Sequence, residues 1–154
     1  MLIEKAERRD LPNILALQRI AYLSEAALLG TENIPPLTQT LEEVSHEFDN
    51  GVILKGTIDG TIIGSVRASS DSQTCYVGKL IVNPEHQGKG YGAQLLAKIE
   101  RVCPHQRYEL FTSDKSSDNI RLYERAGYRL FREQQIKQGL RFVYLEKKNQ
   151  DSEK

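Results

Sequence analysis

Residues 87–92 read Gln-Gly-Lys-Gly-Tyr-Gly, followed by the helical pattern Ala-Gln-Leu-Leu-Ala-Lys-Ile-Glu over 93–100. Glycines allow the backbone to approach a ligand closely with its N–H groups pointing outward, and a helix N-terminus behind them adds partial positive charge. Gly88, Gly90 and Gly92 therefore describe an anion cradle, and Lys89 adds a full charge to it. A Walker loop needs Lys-Ser or Lys-Thr after its glycines, and none follows here. A dinucleotide fingerprint fits Gly88, Gly90 and Ala93 formally, with Glu109 about 20 residues on. Its glycines should follow a first strand almost at once, whereas Asn83 to Gln87 intervene and several strands come earlier.

The second candidate is Tyr123. At about 100° per residue, Asn119, Leu122, Tyr123 and Ala126 share one helix face, with Ile120 at its edge. A phenol on an inward face is either a proton donor or a core tyrosine bonded to a carbonyl. Asn119, one turn earlier on that face, is hard to justify except as a helix-start cap. The histidines, His46, His86 and His105, and the cysteines, Cys75 and Cys103, have no metal-ligand spacing, and no metal is expected.

These residues must be positioned by a mixed fold. Residues 2–7 read as a strand. Asp10 is placed to cap a helix with Pro12 in its first turn and Ile14, Leu15, Leu17, Ala21 and Tyr22 on one face. Gly30 and Pro35-Pro36 break that helix. Thr40 and Glu43 form a capping box for the next, with Leu41, Val44 and Phe48 inward. Residues 52–58 and 61–69 flank Asp59-Gly60, the signature of a tight hairpin. A third strand, 74–82, leads into the Gly-rich loop and a helix with Leu95, Leu96, Ile99 and Val102 inward. Strand 107–112, helix 116–127 stopped by Gly127, and a hairpin over 128–147 complete the order β-α-α-β-β-β-α-β-α-β-β. Strands grouped in the middle of the chain exclude the strict alternation of a doubly wound fold.

The 154 residues suit a single domain, expected over 1–147, with a frayed tail over 148–154. Lys plus Arg and Asp plus Glu are 21 each, so excess cations for general nucleic-acid or polybasic membrane binding are lacking. No apolar stretch approaches ~20 residues, and charges interrupt the start where a leader would carry its apolar core. A cytoplasmic protein with no membrane or nucleic-acid partner is expected.

The stretch Leu80-Ile-Val-Asn-Pro-Glu-His-Gln-Gly-Lys-Gly-Tyr-Gly92 closely resembles the acyl-CoA-binding motif of the GNAT superfamily of N-acetyltransferases. Leu80 and Val82 stand at its strand pair, and Gln87, Gly90 and Gly92 at its fixed loop positions. Residues 116–131 resemble the superfamily's second motif and residues 3–17 its N-terminal strand and helix. The resemblance implies an α/β fold of the α+β type: a mixed, mostly antiparallel twisted sheet of six to seven strands with about four helices. It implies acetyl-CoA as cofactor, its pyrophosphate held by Gln87, Gly88, Lys89, Gly90, Tyr91 and Gly92. It further implies backbone donors from Leu80, Ile81 and Val82 for the thioester carbonyl, where their strand splays from its neighbour. Asn119 would lie near the pantetheine arm and Tyr123 would be the general acid to the thiolate.

The acceptor would be a small-molecule amine or a protein amino group, walled by the first two helices and their connection. That segment carries Glu25, Glu32, Glu42, Glu43, Glu47 and Asp49, which attract an ammonium or simply form a solvated face. Tyr22 and Glu25 are the candidate acceptor contacts. The general base is open between Tyr76, Lys79, Glu109, Glu25, His46 and a relayed water. A homodimer through the C-terminal hairpin is compatible with the resemblance. A non-catalytic acyl-CoA-binding sensor is the alternative, against which a proton donor at Tyr123 argues.

Overall fold

The structure is a computed structural model, described here over residues 1–31 and 34–149. Its elements are β1 (Leu2–Lys5), α1 (Leu11–Leu29), α2 (Pro35–Thr38), α3 (Leu41–Asp49), β2 (Val52–Ile58), β3 (Thr61–Ser70) and β4 (Thr74–Val82). They continue with α4 (Tyr91–Val102), β5 (Arg107–Ser113), α5 (Ser117–Arg125), β6 (Arg129–Lys137) and β7 (Leu140–Lys148). Among the described residues seven strands form one sheet in the order β1-β2-β3-β4-β5-β7-β6. All neighbours are antiparallel except β4 and β5.

Local chemistry explains most boundaries. Asp59 and Gly60 both have positive φ, 51° and 80°, as the tight β2–β3 turn requires. Gly30 ends α1 in the left-handed conformation at φ 73°. The Thr40 hydroxyl accepts from Glu43 N–H while the Glu43 carboxylate accepts from Thr40 N–H, so the capping box of α3 is formed.

Three expectations need correction. Asp10 stands at the N-cap position of α1 but makes no side-chain cap. A 3-10 turn over Arg8–Asp10 already coils the backbone there, and the carboxylate accepts instead from Glu7 N–H and Lys55. Pro35-Pro36 does break α1, yet it also starts the single turn of α2, because proline's fixed φ suits a first helical position. Leu41 is exposed, leaving Val44 as the buried residue of α3. In the segment expected as a tail, Lys148 closes β7 and Asn149 N–H donates to the Gln106 carbonyl; residues 150–154 lie outside the described residues.

Two apolar layers sandwich the sheet. Leu95, Leu96 and Ile99 of α4 and Tyr123 of α5 pack against Leu54, Val66, Cys75, Val77 and Leu110. Leu11, Ile14 and Leu15 of α1 and Val44 of α3 meet Ile53 on the opposite face. β3 is therefore covered on both sides, and residues 63–68 are all buried. That burial includes a guanidinium, Arg67, on the α1 face.

Candidate active site

β4 and β5 are neighbours only at one end. Thr74, Cys75 and Tyr76 pair with Arg107, Tyr108 and Glu109, after which the strands part. β5 turns its full length to β7, from Arg107 to Ser113. On its other side β4 stays with β3, and a bulge shifts the register between Ser65 and Arg67. Lys79, at φ 50°, sits in that bulge. A bulge adds twist and bends the strand, which turns Leu80, Ile81 and Val82 away from β5. Their backbone groups on that side are left without a strand partner, the splay that the sequence could only suggest by resemblance.

The closed end of the opening is pinned by charge. Arg107 donates from Nε to Glu146 and from Nη1 to Glu109, each at 2.8 Å. Glu109 is thereby committed at the closed end. Tyr76 is there too, its hydroxyl donating to Asp71. His46 lies in the last turn of α3 beside Asn50. Glu109 and Tyr76 are thus held at the closed end.

At the open end stands the Gly-rich loop. Gly88 and Gly90 have φ 78° and 83°, and nothing lies within 4 Å of a Cβ built on either. Gly90 is the N-cap of α4 with no side-chain cap, so the first N–H groups of that helix lack intrahelical acceptors. Gln87 folds back to donate from Nε2 to the Val82 carbonyl at 3.1 Å, tying the loop to the strand end. Gly92 lets α5 approach: an added Cβ would meet Leu122 Cδ2 at 3.3 Å. Lys89 is exposed beside the cradle, and Tyr91 begins the helix. A positive-φ loop with open space, free amides and an adjacent cation fits a pyrophosphate.

Tyr123 faces the opening from α5. It is 7% exposed and packs its ring 6.3 Å from that of Tyr128. Its hydroxyl has no hydrogen-bond partner among the described residues and is not among the fully enclosed unpartnered atoms. The alternative of a core tyrosine bonded to a carbonyl is therefore not what forms. Burial, with the neighbouring Tyr22 and Glu25, pushes the phenol well above its ordinary pKa. Asn119, two turns short of the helix end, reaches Thr112 of β5 from Nδ2 at 3.5 Å.

α1 completes the opening. Gln18, Tyr22 and Glu25 fall at i, i+4 and i+7, one helix face. Glu25 accepts a 2.6 Å hydrogen bond from Ser116 Oγ, which anchors α1 to the start of α5. Tyr22 lies between, and burial followed by the Glu25 charge raises its phenol's pKa. The sequence pair Tyr22 and Glu25 is thus brought to Tyr123. Glu32 of the acidic segment lies outside the described residues. Glu43 is used in its capping box and Asp49 pairs with Arg8.

Beneath Gln18 is a network that sequence reasoning missed. Arg67 Nη1 donates to Glu47 at 2.8 Å and to Gln39 at 3.1 Å, and Nη2 donates to Gln18. Gln18 Nε2 donates to Gln39 and to the Pro36 carbonyl, both at 2.8 Å. The available signal was polarity out of place: an arginine inside a strand otherwise small or apolar, and a glutamine on the buried face of α1.

Comparison with known proteins gives this geometry its class. Residues 13–128 match the model of the Acetyltransferase (GNAT) family, and the chain belongs to that family. Among curated proteins it is similar to the UPF0157 protein YqkA of Bacillus subtilis (strain 168), 28% identical over 130 residues. That match covers 82% of this chain but 37% of the relative, so the chain spans little more than a third of its length. Among solved structures, the PaiA N-acetyltransferase of Thermoplasma acidophilum in complex with coenzyme A superposes with TM-score 0.79 at 18% identity, covering 97% of this chain and 100% of that one. YncA, a putative acetyltransferase of Salmonella typhimurium with acetyl-CoA, gives 0.72 at 20% identity over 96% and 93% of the two chains. At these identities the likeness establishes the fold: the mixed, mostly antiparallel sheet is a GNAT fold. Among the described residues no helix is long and apolar enough to cross a membrane.

Proposed function

We propose that this chain transfers an acetyl group from acetyl-CoA to a primary amine by direct attack within a ternary complex. The observation that carries the reading is the parting of β4 from β5 between the Gly-rich cradle and Tyr123. Bound acetyl-CoA supplies the acetyl group as an activated thioester. The amides of Gly88 to Gly92, with Gln87 and Lys89 beside them, would hold its pyrophosphate, and Asn119 would contact its pantetheine arm. Backbone N–H groups of Leu80, Ile81 and Val82, which have no partner on β5, would stabilise negative charge on the carbonyl oxygen.

Glu25 draws the ammonium into the opening and takes its proton on the carboxylate oxygen that Ser116 leaves free, with Tyr22 beside it. Tyr123 would deliver a proton to the leaving sulfur, and the second proton lost by the acylated nitrogen would replace it. Its raised pKa keeps that proton in place at neutral pH. Thiolates are less basic than phenolates in water, but the same burial disfavours both anions, so the transfer is not opposed by the phenol's shift alone.

Tyr123→Phe tests the assignment. Turnover should fall about 10²-fold, the scale of general-acid loss, with calorimetric affinity for acetyl-CoA nearly unchanged. Unchanged turnover would remove Tyr123 from the mechanism. Tight acetyl-CoA binding with no transfer to any amine would instead favour the sensor.

A further inference from the structure

Ten of the eleven glycines have a visible reason to be glycine. Six lie at positive φ, and at Gly51, Gly56, Gly64 and Gly92 an added Cβ would stand within 3.3 Å of a neighbouring atom. Gly78 has neither reason. Its φ lies outside the left-handed region, and nothing comes within 4 Å of a Cβ built on it. The bulge beside it does not ask for glycine, because the residue that takes the left-handed conformation there is Lys79. A glycine inside a strand costs stability, since it orders a freer backbone and packs no side chain. The packing of the fold makes no use of the space at Gly78.

Its place in the sheet gives that space a use. Tyr76 is the last residue of β4 paired with β5, and Leu80 is the first of the three whose N–H groups would meet the thioester carbonyl. Gly78 stands between them where the strands part, within about 7 Å of Leu80 along the strand. Gly78 is the Cα partner of Arg67, and directly opposed residues point to the same face, so a side chain at 78 would project on the α1 side of the sheet. Leu80 and Val82 instead pack into the layer of α4 and α5. The parting thus has a cofactor side, with the Gly-rich loop before α4 and Tyr123 on α5, and an opposite side onto which Gly78 opens, half-buried.

We infer that Gly78 is a specificity-determining residue: the space its missing side chain leaves receives the carbon skeleton adjoining the acceptor's amine, entering the parting from the α1 side. This rests on the acetyl-transfer reading and names one wall of its acceptor site. From the α1 side the amine meets the carbonyl carbon while the cofactor fills the other side of the parting. A side chain at 78 would compete for the volume of the atoms attached to the incoming nitrogen, and such a clash is a means of selecting among partners. The charges on this side balance, with Arg67 paired to Glu47 and Lys79 near both Glu47 and Glu43, so the space selects by bulk.

The test compares the native full chain with Gly78→Ala and Gly78→Val. The probes are acetyl-CoA and two CoA derivatives whose sulfur carries a CH2–CO–NH link, ending either in a bare amide or in a butylamide that stands for an acceptor's skeleton. Calorimetry gives their affinities, thiol release from acetyl-CoA gives turnover of an amine panel, and circular dichroism gives Tm. Gly78→Ala should raise Tm by about 1–4 °C, and acetyl-CoA affinity should hold in both variants. The native chain should bind the butylamide at least as tightly as the bare amide. Gly78→Val should bind the butylamide about ten- to hundredfold more weakly than the bare amide, the scale of overpacking, with Gly78→Ala between. A ratio that Gly78→Val leaves unchanged would overturn the proposal, as would a Tm lowered by Gly78→Ala, which would mean that the fold itself needs glycine there. Butylamide affinity lost in Gly78→Val, with no amine turned over by the native chain, would uphold the space while refuting acetyl transfer. Amine turnover equal in the native chain and Gly78→Val would do the reverse.

Discussion

Replacing Gly90 by alanine separates what the loop does for folding from what it does for binding, and Gly60 supplies the control. Both glycines lie in the left-handed region, at φ 83° and 80°, and nothing stands within 4 Å of an added Cβ at either. An L-residue in that region costs about 1–2 kcal/mol, offset in part by the lower entropy of the unfolded chain. Each substitution should therefore cost about 1 kcal/mol and lower Tm by about 2–4 °C for a chain of this size. The two differ in what comes next to them. Gly60 is the β2–β3 turn, whereas Gly90 is the N-cap of α4 in the cradle. A Cβ at Gly90 occupies the space through which a phosphate would reach the amides. Losing two charge-assisted hydrogen bonds, each worth about 1.5–3 kcal/mol, weakens binding at least ~10²-fold. The assay is thermal unfolding by circular dichroism alongside calorimetry with CoA. Matched Tm values with CoA affinity lost only in Gly90→Ala support the cradle. Equal CoA affinity in the two variants refutes it.

Further tests probe the frame and its charges. Leu95 is fully buried between α4 and the sheet, so Leu95→Ala should destabilise by about 3 kcal/mol and lower Tm by about 6–12 °C, measured by calorimetric unfolding. Asp10 is held below its ordinary pKa of 3.8: burial raises it, but the Lys55 ammonium and Glu7 amide outweigh burial. That stabilisation is present above the ordinary value and lost as pH falls through the lowered one, so urea midpoints of Asp10→Asn should lack this part of the acid decline. Burial pushes the Cys75 thiol up to about 12, and Cys103 is also raised. A disulfide reagent at pH 8 should therefore label Cys75 only on unfolding, and fast labelling of the native chain would contradict the packing.

Local signals carried most of the architecture. Asp59-Gly60, the Thr40–Glu43 box and the stops at Gly30 and Gly127 act over a few residues, so they were legible one segment at a time. Failures came where distant partners decide. Asp10 reads as a cap, but Lys55, 45 residues away, takes its carboxylate. Pro35-Pro36 reads as a break, and the same fixed φ that ends one helix lets the prolines open the next turn, so this local signal was ambiguous. The loop glycines and Tyr123 were readable as types at a spacing. The opening they face was not, because it depends on β5 choosing β7 over most of β4 and on a bulge at Lys79. The Arg67–Gln18–Gln39–Glu47 network joins β3, α1, α3 and the connection between α2 and α3, and leaves no periodic trace in any of them.

Amine-dependent release of CoA thiol from acetyl-CoA by the native chain tests the central claim most directly. The account predicts saturable release with at least one amine and none with the same compound already acetylated. Acetyl-CoA bound at the Gly-rich loop, with no release across amino acids, polyamines, aminoglycosides and peptide amines, would contradict it.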